Sequence, residues 1–313
     1  MAATVLIAGP TASGKSGLAL ALAARLGGRV INADSMQIYA RLHILTARPD
    51  AAAEARVPHR LYGVIDPAEA CSAARWAELA RAEVRAAHAA GAVAVVVGGT
   101  GLYFHALTEG LADVPAIDPA VRVGLSRRLA VEGAPALHAD LGRLDPALAA
   151  RLKPGDSQRI LRGLEVALGT GRPLSAFQAA GGAAPDLGTV ERVVVAPPRE
   201  ALLARIRRRL EAMAAEGAIE EARAFAALGL DPALPAAKAI GLRPFAAHAA
   251  GEMSLPAALE KAEIETRQYA KRQMTWARGR MADWRWVASA QETERIINDI
   301  ERKLRPEGLT TQS

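Results

Sequence analysis

The stretch GPTASGKS, Gly9 to Ser16, decides the fold. Its two glycines, with four residues between them, are followed directly by Lys15 and Ser16. Glycines at this spacing let the backbone curl so that its N–H groups point inward at phosphate oxygens. A helix that starts at the end of such a loop adds its positive N-terminal end. Lys15 then reaches the outer phosphates, and the Ser16 hydroxyl can hold Mg²⁺. The phosphate-binding candidates are therefore Gly9, Pro10, Thr11, Ala12, Ser13, Gly14, Lys15 and Ser16, with Ser16 also the metal-binding candidate. The loop alone leaves open whether a phosphorus–oxygen bond breaks there or the phosphates serve only as a handle.

The flanks supply the context that the loop needs. TVLIAG (Thr4–Gly9) reads as a buried strand before it, and Lys15–Leu26 as a helix after it. RVINAD (Arg29–Asp34) and LYGVID (Leu61–Asp66) are also strand-like. Ser72–Ala90 reads as a helix, and AVAVVV (Ala92–Val97) as a strand buried on both faces, as in parallel sheets. This alternation predicts an α/β domain around a central parallel sheet. From about Leu111 to Thr189 the pattern changes. Asp118-Pro119 and Asp145-Pro146 each pair a helix cap with a proline at the first helical position. A small helical insertion is expected there. VERVVVA (Val190–Ala196) returns to the core, followed by helices near Arg199–Leu228, Ala236–Ala249 and Leu255–Met281. The expected organisation is a core over 1–115, the insertion over 116–189, and a core continuation with a basic helical region over 190–313. The terminal RPEGLTTQS is expected to fray.

Composition narrows the function classes. The 313 residues carry a formal charge of +6, with 51% hydrophobic and only 4% aromatic residues. A basic balance fits a polyanionic partner such as nucleic acid, or plain solubility. The single cysteine, Cys71, rules out an internal disulfide and a cysteine-based zinc site, and suits a reducing, cytoplasmic setting. The uncharged run Ala86–Phe104 approaches a membrane span in length, but its glycines and short apolar centre favour a buried strand. No basic leader precedes the first strand, so no signal peptide is expected.

One feature of a motor or switch NTPase is missing. The most apolar later strand ends in Gly98-Gly99-Thr100-Gly101, without the acid that would hold Mg²⁺. The acid follows the second strand instead, in Asp34-Ser35-Met36-Gln37. The loop, Asp34 and Thr100 thus lie at the carboxyl ends of three strands, the edge where open α/β sheets bind ligands. Asp34 is a candidate base beside a diphosphate; an N-cap or a distant Mg²⁺ ligand is the other reading.

Taken together, GPTASGKS, ADSMQIY (Ala33–Tyr39), TARP (Thr46–Pro49), PHRLYGVIDP (Pro58–Pro67), VVVGGTGLYFHALTEGL (Val95–Leu111), DSQRILRGLEV (Asp156–Val166) and KRQMTWAR (Lys271–Arg278) resemble the tRNA dimethylallyltransferase family. The blocks occur in order across about nine-tenths of the chain. The resemblance implies a fold similar to the P-loop NTPases, with a helical insertion. It implies transfer of a dimethylallyl group from dimethylallyl diphosphate to N6 of the adenosine 3′-adjacent to the tRNA anticodon, assisted by Mg²⁺. In that chemistry a carbon–oxygen bond breaks and diphosphate leaves. By resemblance Asp34 is the base, Thr100 lies near the reacting centre, and Arg209 binds the diphosphate. The implied RNA contacts come from four places. The first is Asp34, Ser35, Met36 and Gln37 with Thr100. The second is Arg122 together with Gln158, Arg159, Ile160, Leu161 and Arg162 of the insertion. The third is Lys238, Ala239, Ile240, Gly241, Leu242 and Arg243. The last is Lys271, Arg272, Gln273, Met274, Thr275, Trp276, Ala277 and Arg278. At helical spacing Arg267, Lys271, Thr275 and Arg278 share a face that suits phosphates, with Trp276 as a stacking ring. The competing reading is a solvated basic stripe with Trp276 in the core. The implied partners are tRNA, through its anticodon stem-loop, and dimethylallyl diphosphate; no membrane is involved, and a monomer is expected. The chain departs from the family at ILTARP (Ile44–Pro49), where members usually read IGTAKP, so Leu45 and Arg48 replace a glycine and a lysine.

Three other readings stay open on residues alone. A small-molecule kinase would use the same loop with a nucleoside triphosphate. An isopentenyltransferase acting on free adenine nucleotides would share the chemistry. A nucleic-acid binder switched by nucleotide would share the basic surface.

Overall fold

The computed structural model describes residues 2–182, 184–288 and 291–304. The chain opens on β1 (Ala3–Ala8), runs through the phosphate loop into α1 (Lys15–Leu26), and continues through β2 (Arg29–Asn32), α2 (Ala51–Arg56), β3 (His59–Arg60), α3 (Ala73–Ala89), β4 (Ala94–Gly98) and α4 (Gly101–Thr108). Then come α5 (Pro119–Leu144), α6 (Pro146–Ala149), α7 (Ser157–Thr170) and α8 (Leu174–Ala180). The last part holds β5 (Thr189–Val195), α9 (Arg199–Ala215), α10 (Ala218–Ala226), a 3₁₀ turn at Ala236–Lys238, α11 (Leu242–Ala249), α12 (Leu255–Arg280), β6 (Arg285–Val287) and α13 (Gln291–Leu304).

Two compact units emerge. One comprises Met1–Leu107 and Asp186–Ser313, the other Thr108–Pro185. The helical unit thus starts at Thr108, the end of α4, rather than at residue 116, and stops at Pro185, before β5 begins at Thr189.

The larger unit is built on a parallel sheet of order β3-β2-β4-β1-β5-β6. Val5 lies level with Val95, and Ile7 with Val97 and Val193. Alternation along each strand divides the core between the two faces. Val5, Ile7, Val95 and Val97 pack with Leu18, Leu22 and Leu26 of α1 and Ile296 and Ile300 of α13 in one cluster. Leu6, Ile31 and Val96 are equally buried and point the other way. On that face the Trp76 indole of α3 donates to the Asn32 carbonyl at 2.9 Å. The uncharged run Ala86–Phe104 resolves into a helix end, β4 and the first turn of α4. Among the described residues, no helix is long and apolar enough to cross a membrane.

The smaller unit has its own core of Leu125, Leu137, Leu141, Ile160 and Leu164. Both expected Asp-Pro caps form: Asp118 accepts the Ala120 N–H and Asp145 the Leu148 N–H. α5 is broken at Gly133 (φ 79), ahead of Pro135.

Three expectations are corrected. LYGVID is not a strand. Leu61 and Gly63 both adopt φ 63, which ends the extended run, and the sheet strand is His59–Arg60. The helix expected over 199–228 breaks at Gly217 (φ 108), and that over 236–249 breaks at Gly241 (φ 82). β6 was not anticipated, because three residues are too few to show alternation, and α13 was also missed, although Ile296, Ile297, Ile300 and Leu304 recur at helical spacing. RPEGLTTQS lies outside the described residues.

Candidate active site

The phosphate loop leaves β1 at Gly9 and enters α1 through Gly14, the residue before Lys15, at φ 95. Ala12 also takes a left-handed conformation, at φ 62. The Lys15 ammonium folds back to donate to the Pro10 carbonyl at 3.1 Å. Desolvation by the surrounding protein lowers its pKa to about 8; Asp34 opposes this shift and Arg209 adds to it. Two arginines one helical turn apart on α9 reach the same loop. Arg205 donates to the Ser13 carbonyl at 3.0 Å, and Arg209 donates to the Thr11 hydroxyl. Burial also lowers the Arg209 pKa, and its Nε is a buried donor with no partner among the described residues. A cavity of about 290 Å³ is lined by Thr11 to Ser16, Asp34, Gln37, Thr46, Ala47, Arg205 and Arg209. Three cations and one carboxylate on its wall leave it strongly positive, and an anion would satisfy the Arg209 donor.

The other end of the cavity is set by the approach of β2 to β4. A Cβ on Gly98 would lie 2.0 Å from the Ala33 carbonyl oxygen, so only glycine lets the two strand ends come this close. The Thr100 N–H donates to the Ala33 carbonyl at 3.1 Å, and the Ser35 N–H donates to the Thr100 hydroxyl at 2.9 Å. The fully buried Asn32 locks the turn, accepting the Asp34 N–H at 2.8 Å and donating to the Asp34 and Leu61 carbonyls at 3.0 Å each. Asp34 Oδ1 accepts the Met36 N–H at 2.9 Å; Oδ2 takes no hydrogen bond from the described residues. Asp34 therefore faces a cationic cleft with one oxygen uncommitted.

Of the residues expected at the phosphates, Thr11 to Ser16 and Arg209 come together with Asp34 around one cavity; Thr100 is not on its wall and reaches the Asp34 turn through Ser35. Arg205, which had no assignment on sequence, also lines the cavity, and only its spacing of four from Arg209 signalled it. Sequence reading also passed over Tyr269, whose phenol pKa is pushed up by burial and by the Asp34 charge.

The expected RNA contacts divide by exposure. Lys271, Arg272, Thr275 and Arg278 stand exposed on α12, as do Lys238 and Arg243. In the smaller unit Gln158, Arg159 and Arg162 are exposed on α7, with Arg159 paired to Asp156 and Arg162 to Glu165. Arg122 also pairs with Glu165. Direct contact is corrected for six residues whose side chains are buried: Ile160, Leu161, Ala239, Leu242, Gln273 and Ala277. Five sit on the inward stripe of their helix, which periodic packing demands, and Ala239 follows the 3₁₀ turn. Trp276 is half-buried, its indole against the backbone of Gly101, so it is not a free stacking ring. Leu45, in place of the usual glycine, is buried, with Gly241 beside its Cδ2.

Known proteins resemble this chain over most of its length. The IPP transferase family model matches residues 37–280. The tRNA dimethylallyltransferase of Parvibaculum lavamentivorans is 54% identical over 306 residues, which is 98% of this chain and 97% of that protein. The full-length tRNA isopentenylpyrophosphate transferase of Bacillus halodurans superposes with a TM-score of 0.68 at 33% identity, covering 98% of both chains. A eukaryotic dimethylallyltransferase acting on tRNA superposes with a TM-score of 0.83 at 23% identity, covering 99% of this chain and 81% of its own, a likeness of fold. A phosphate loop facing a lone carboxylate, a basic outer helix and relatives this similar over nearly the whole length lead to one assignment: the chain belongs to the IPP transferase family.

Proposed function

We propose that the chain transfers a dimethylallyl group from dimethylallyl diphosphate to N6 of the adenosine 3′-adjacent to the anticodon of tRNA. The observation that carries this reading is the cavity itself: a diphosphate cradle at one end, and at the other a single carboxylate with a free oxygen. The diphosphate sits against the loop N–H groups, Lys15, Arg205 and Arg209. The carbon–oxygen bond to the allyl group breaks, and its electron pair leaves with the diphosphate. Donors fixed around that charge lower the barrier directly. The N6 lone pair forms the new carbon–nitrogen bond, and Asp34 Oδ2 takes the proton that N6 gives up. Thr100, tied to Ser35, orients the turn that carries Asp34. The adenine must leave its stack to reach Asp34, which is half-buried in the cleft. Exposed Lys271, Arg272 and Arg278, with Arg122, Arg159 and Arg162 of the insertion, meet the RNA backbone.

The residues present fit a Mg²⁺ ion. No group of three or more His, Cys, Asp or Glu stands ready as a metal cage among the described residues. Ser16 and Asp34 share the cavity wall, a donor set suited to an ion held mainly by substrate phosphates and water. Ser16 would hold it, and the ion would neutralise charge on the departing diphosphate.

The test is one incubation with dimethylallyl diphosphate, Mg²⁺ and unmodified tRNA, beside a parallel one with adenosine monophosphate as acceptor. N6-alkylated adenosine in the RNA with released diphosphate is expected. Alkylation of the free nucleotide alone, or production of ADP from supplied ATP, would replace this reading. In the same assay Asp34→Ala is expected to cut turnover by about 10² or more while tRNA affinity stays within about tenfold.

A further inference from the structure

α12 presents its charged residues outward and keeps a narrow stripe inward: Ala258, Ala262, Thr266, Ala270, Gln273 and Ala277. Every member of that stripe is alanine except Thr266, whose hydroxyl bonds within the helix, and Gln273. A buried primary amide brings two donors and two acceptor sites that must be satisfied. Gln273 uses one acceptor site and one donor outside its own helix. Its Oε1 accepts the Thr11 N–H at 2.8 Å, and its Nε2 donates to the Gly99 carbonyl at 3.0 Å. Thr11 belongs to the phosphate loop and receives Arg209 on its hydroxyl. Gly99 precedes Thr100, which receives Ser35 on its hydroxyl and is tied to Ala33 through its own N–H. One side chain therefore joins the segment that grips the leaving group to the segment that carries the base. The contact leaves no spare room: a Cβ on Gly99 would lie 1.9 Å from Gln273 Nε2.

We propose that Gln273 is a positioning residue for the transfer reaction, and that its amide fixes the separation between the diphosphate cradle and the Asp34–Thr100 turn. The proposal rests on the prenyl-transfer reading given above. The two hydrogen bonds of Gln273 go to backbone groups of the two segments, and each segment has further contacts of its own, Arg209 on Thr11 and Ser35 on Thr100. Loss of Gln273 therefore acts on the step that needs both segments in register. Misplacing reacting groups by about an ångström costs on the order of 10²-fold in rate.

Gln273→Glu is the sharpest test. It preserves shape and the acceptor for the Thr11 N–H, but removes the donor and sets a carboxylate against the Gly99 carbonyl. Gly99→Ala displaces the same amide from the opposite side, and covers the case in which the first variant folds poorly. For both, kcat with tRNA and dimethylallyl diphosphate is expected to fall about 10- to 100-fold, with KM for the diphosphate and tRNA affinity within about threefold. Thermal melting and calorimetric diphosphate binding accompany the kinetics. A loss that appears equally in KM, or that tracks the melting temperature, makes Gln273 part of the scaffold and overturns the proposal. So does wild-type kcat in both variants while the unaltered chain prenylates tRNA. An unaltered chain that transfers no prenyl group overturns the underlying reading, and this inference with it.

Discussion

At the scale of single residues, Lys15 carries the clearest electrostatic consequence. Burial holds its pKa near 8, against 10.5 for an unhindered lysine. Between those values the unfolded chain binds more protons than the folded one, so stability of the ligand-free protein rises with pH across that window. A diphosphate beside the ammonium acts in the opposite sense, favouring the charged form and raising the pKa. Binding above about pH 8 must then take up a proton. Calorimetric titration with diphosphate at pH 8.5 to 9, in two buffers of different ionisation enthalpy, should show that uptake, and Lys15→Met should abolish it. Equal heats in the two buffers would mean that the lysine stays charged in the empty cleft. Arg209 tells a similar story through geometry: its unpartnered Nε is a cost the fold carries in the absence of an anion.

The segment where this sequence departs from its family is held at the element scale. Glu221 of α10 accepts three successive backbone N–H groups: His43 at 2.8 Å, Ile44 at 2.9 Å and Leu45 at 2.9 Å. It acts as an N-terminal cap on the turn that follows, in which Ala47 and Arg48 donate back to Ile44 and His43. The carbonyls at the far end of this turn, Thr46 and Ala47, accept the Gln37 amide at 2.8 and 2.9 Å, and all three residues line the cavity. Leu45 needs no left-handed backbone; Arg41 (φ 67) and Ala47 (φ 53) carry that conformation instead. The leucine is absorbed by packing beside Gly241, and the Arg48 guanidinium occupies the space left by the missing side chain of Gly63. Removing the cap would strand three donors. Glu221→Ala is expected to lower the unfolding free energy by about 1.5–3 kcal/mol, with Glu221→Gln intermediate. Urea denaturation measures it; an unchanged midpoint would show that water replaces the carboxylate at no cost.

At the scale of the molecule, a net charge of +6 is distributed unevenly. Most arginines of the smaller unit are paired, as at Arg128 with Glu132 and Asp140 and at Arg162 with Glu165. On α12 Lys271, Arg272 and Arg278 are exposed. Reversing charge at Lys271 and Arg278 together should weaken tRNA binding and flatten its salt dependence by about one to two units of slope, while leaving diphosphate affinity unchanged. Equal loss of both affinities would make the helix a structural support rather than an RNA face. Much of this architecture was legible in the chain. Continuous apolar runs marked β1 and β4 because both faces of a parallel sheet are buried, and the apolar end Val193–Val195 marked β5. The glycine spacing marked the phosphate loop because its backbone must curl, and the Asp-Pro pairs marked helix starts. Leu61 and Gly63 defeated the strand reading of LYGVID, since their left-handed backbone is invisible to an apolar pattern. Gln273, Arg205 and Tyr269 were misjudged or missed for a related reason: periodicity reveals that a side chain faces inward, but not which loop waits there. The sequence by itself determined the chemistry on offer, a loop that grips phosphate and one acid at a neighbouring strand end, since those demands are local to a few consecutive residues. Only the tertiary structure decided how they are held in register, because that rests on a helix some 260 positions away laying one amide between two loops that the chain order keeps far apart.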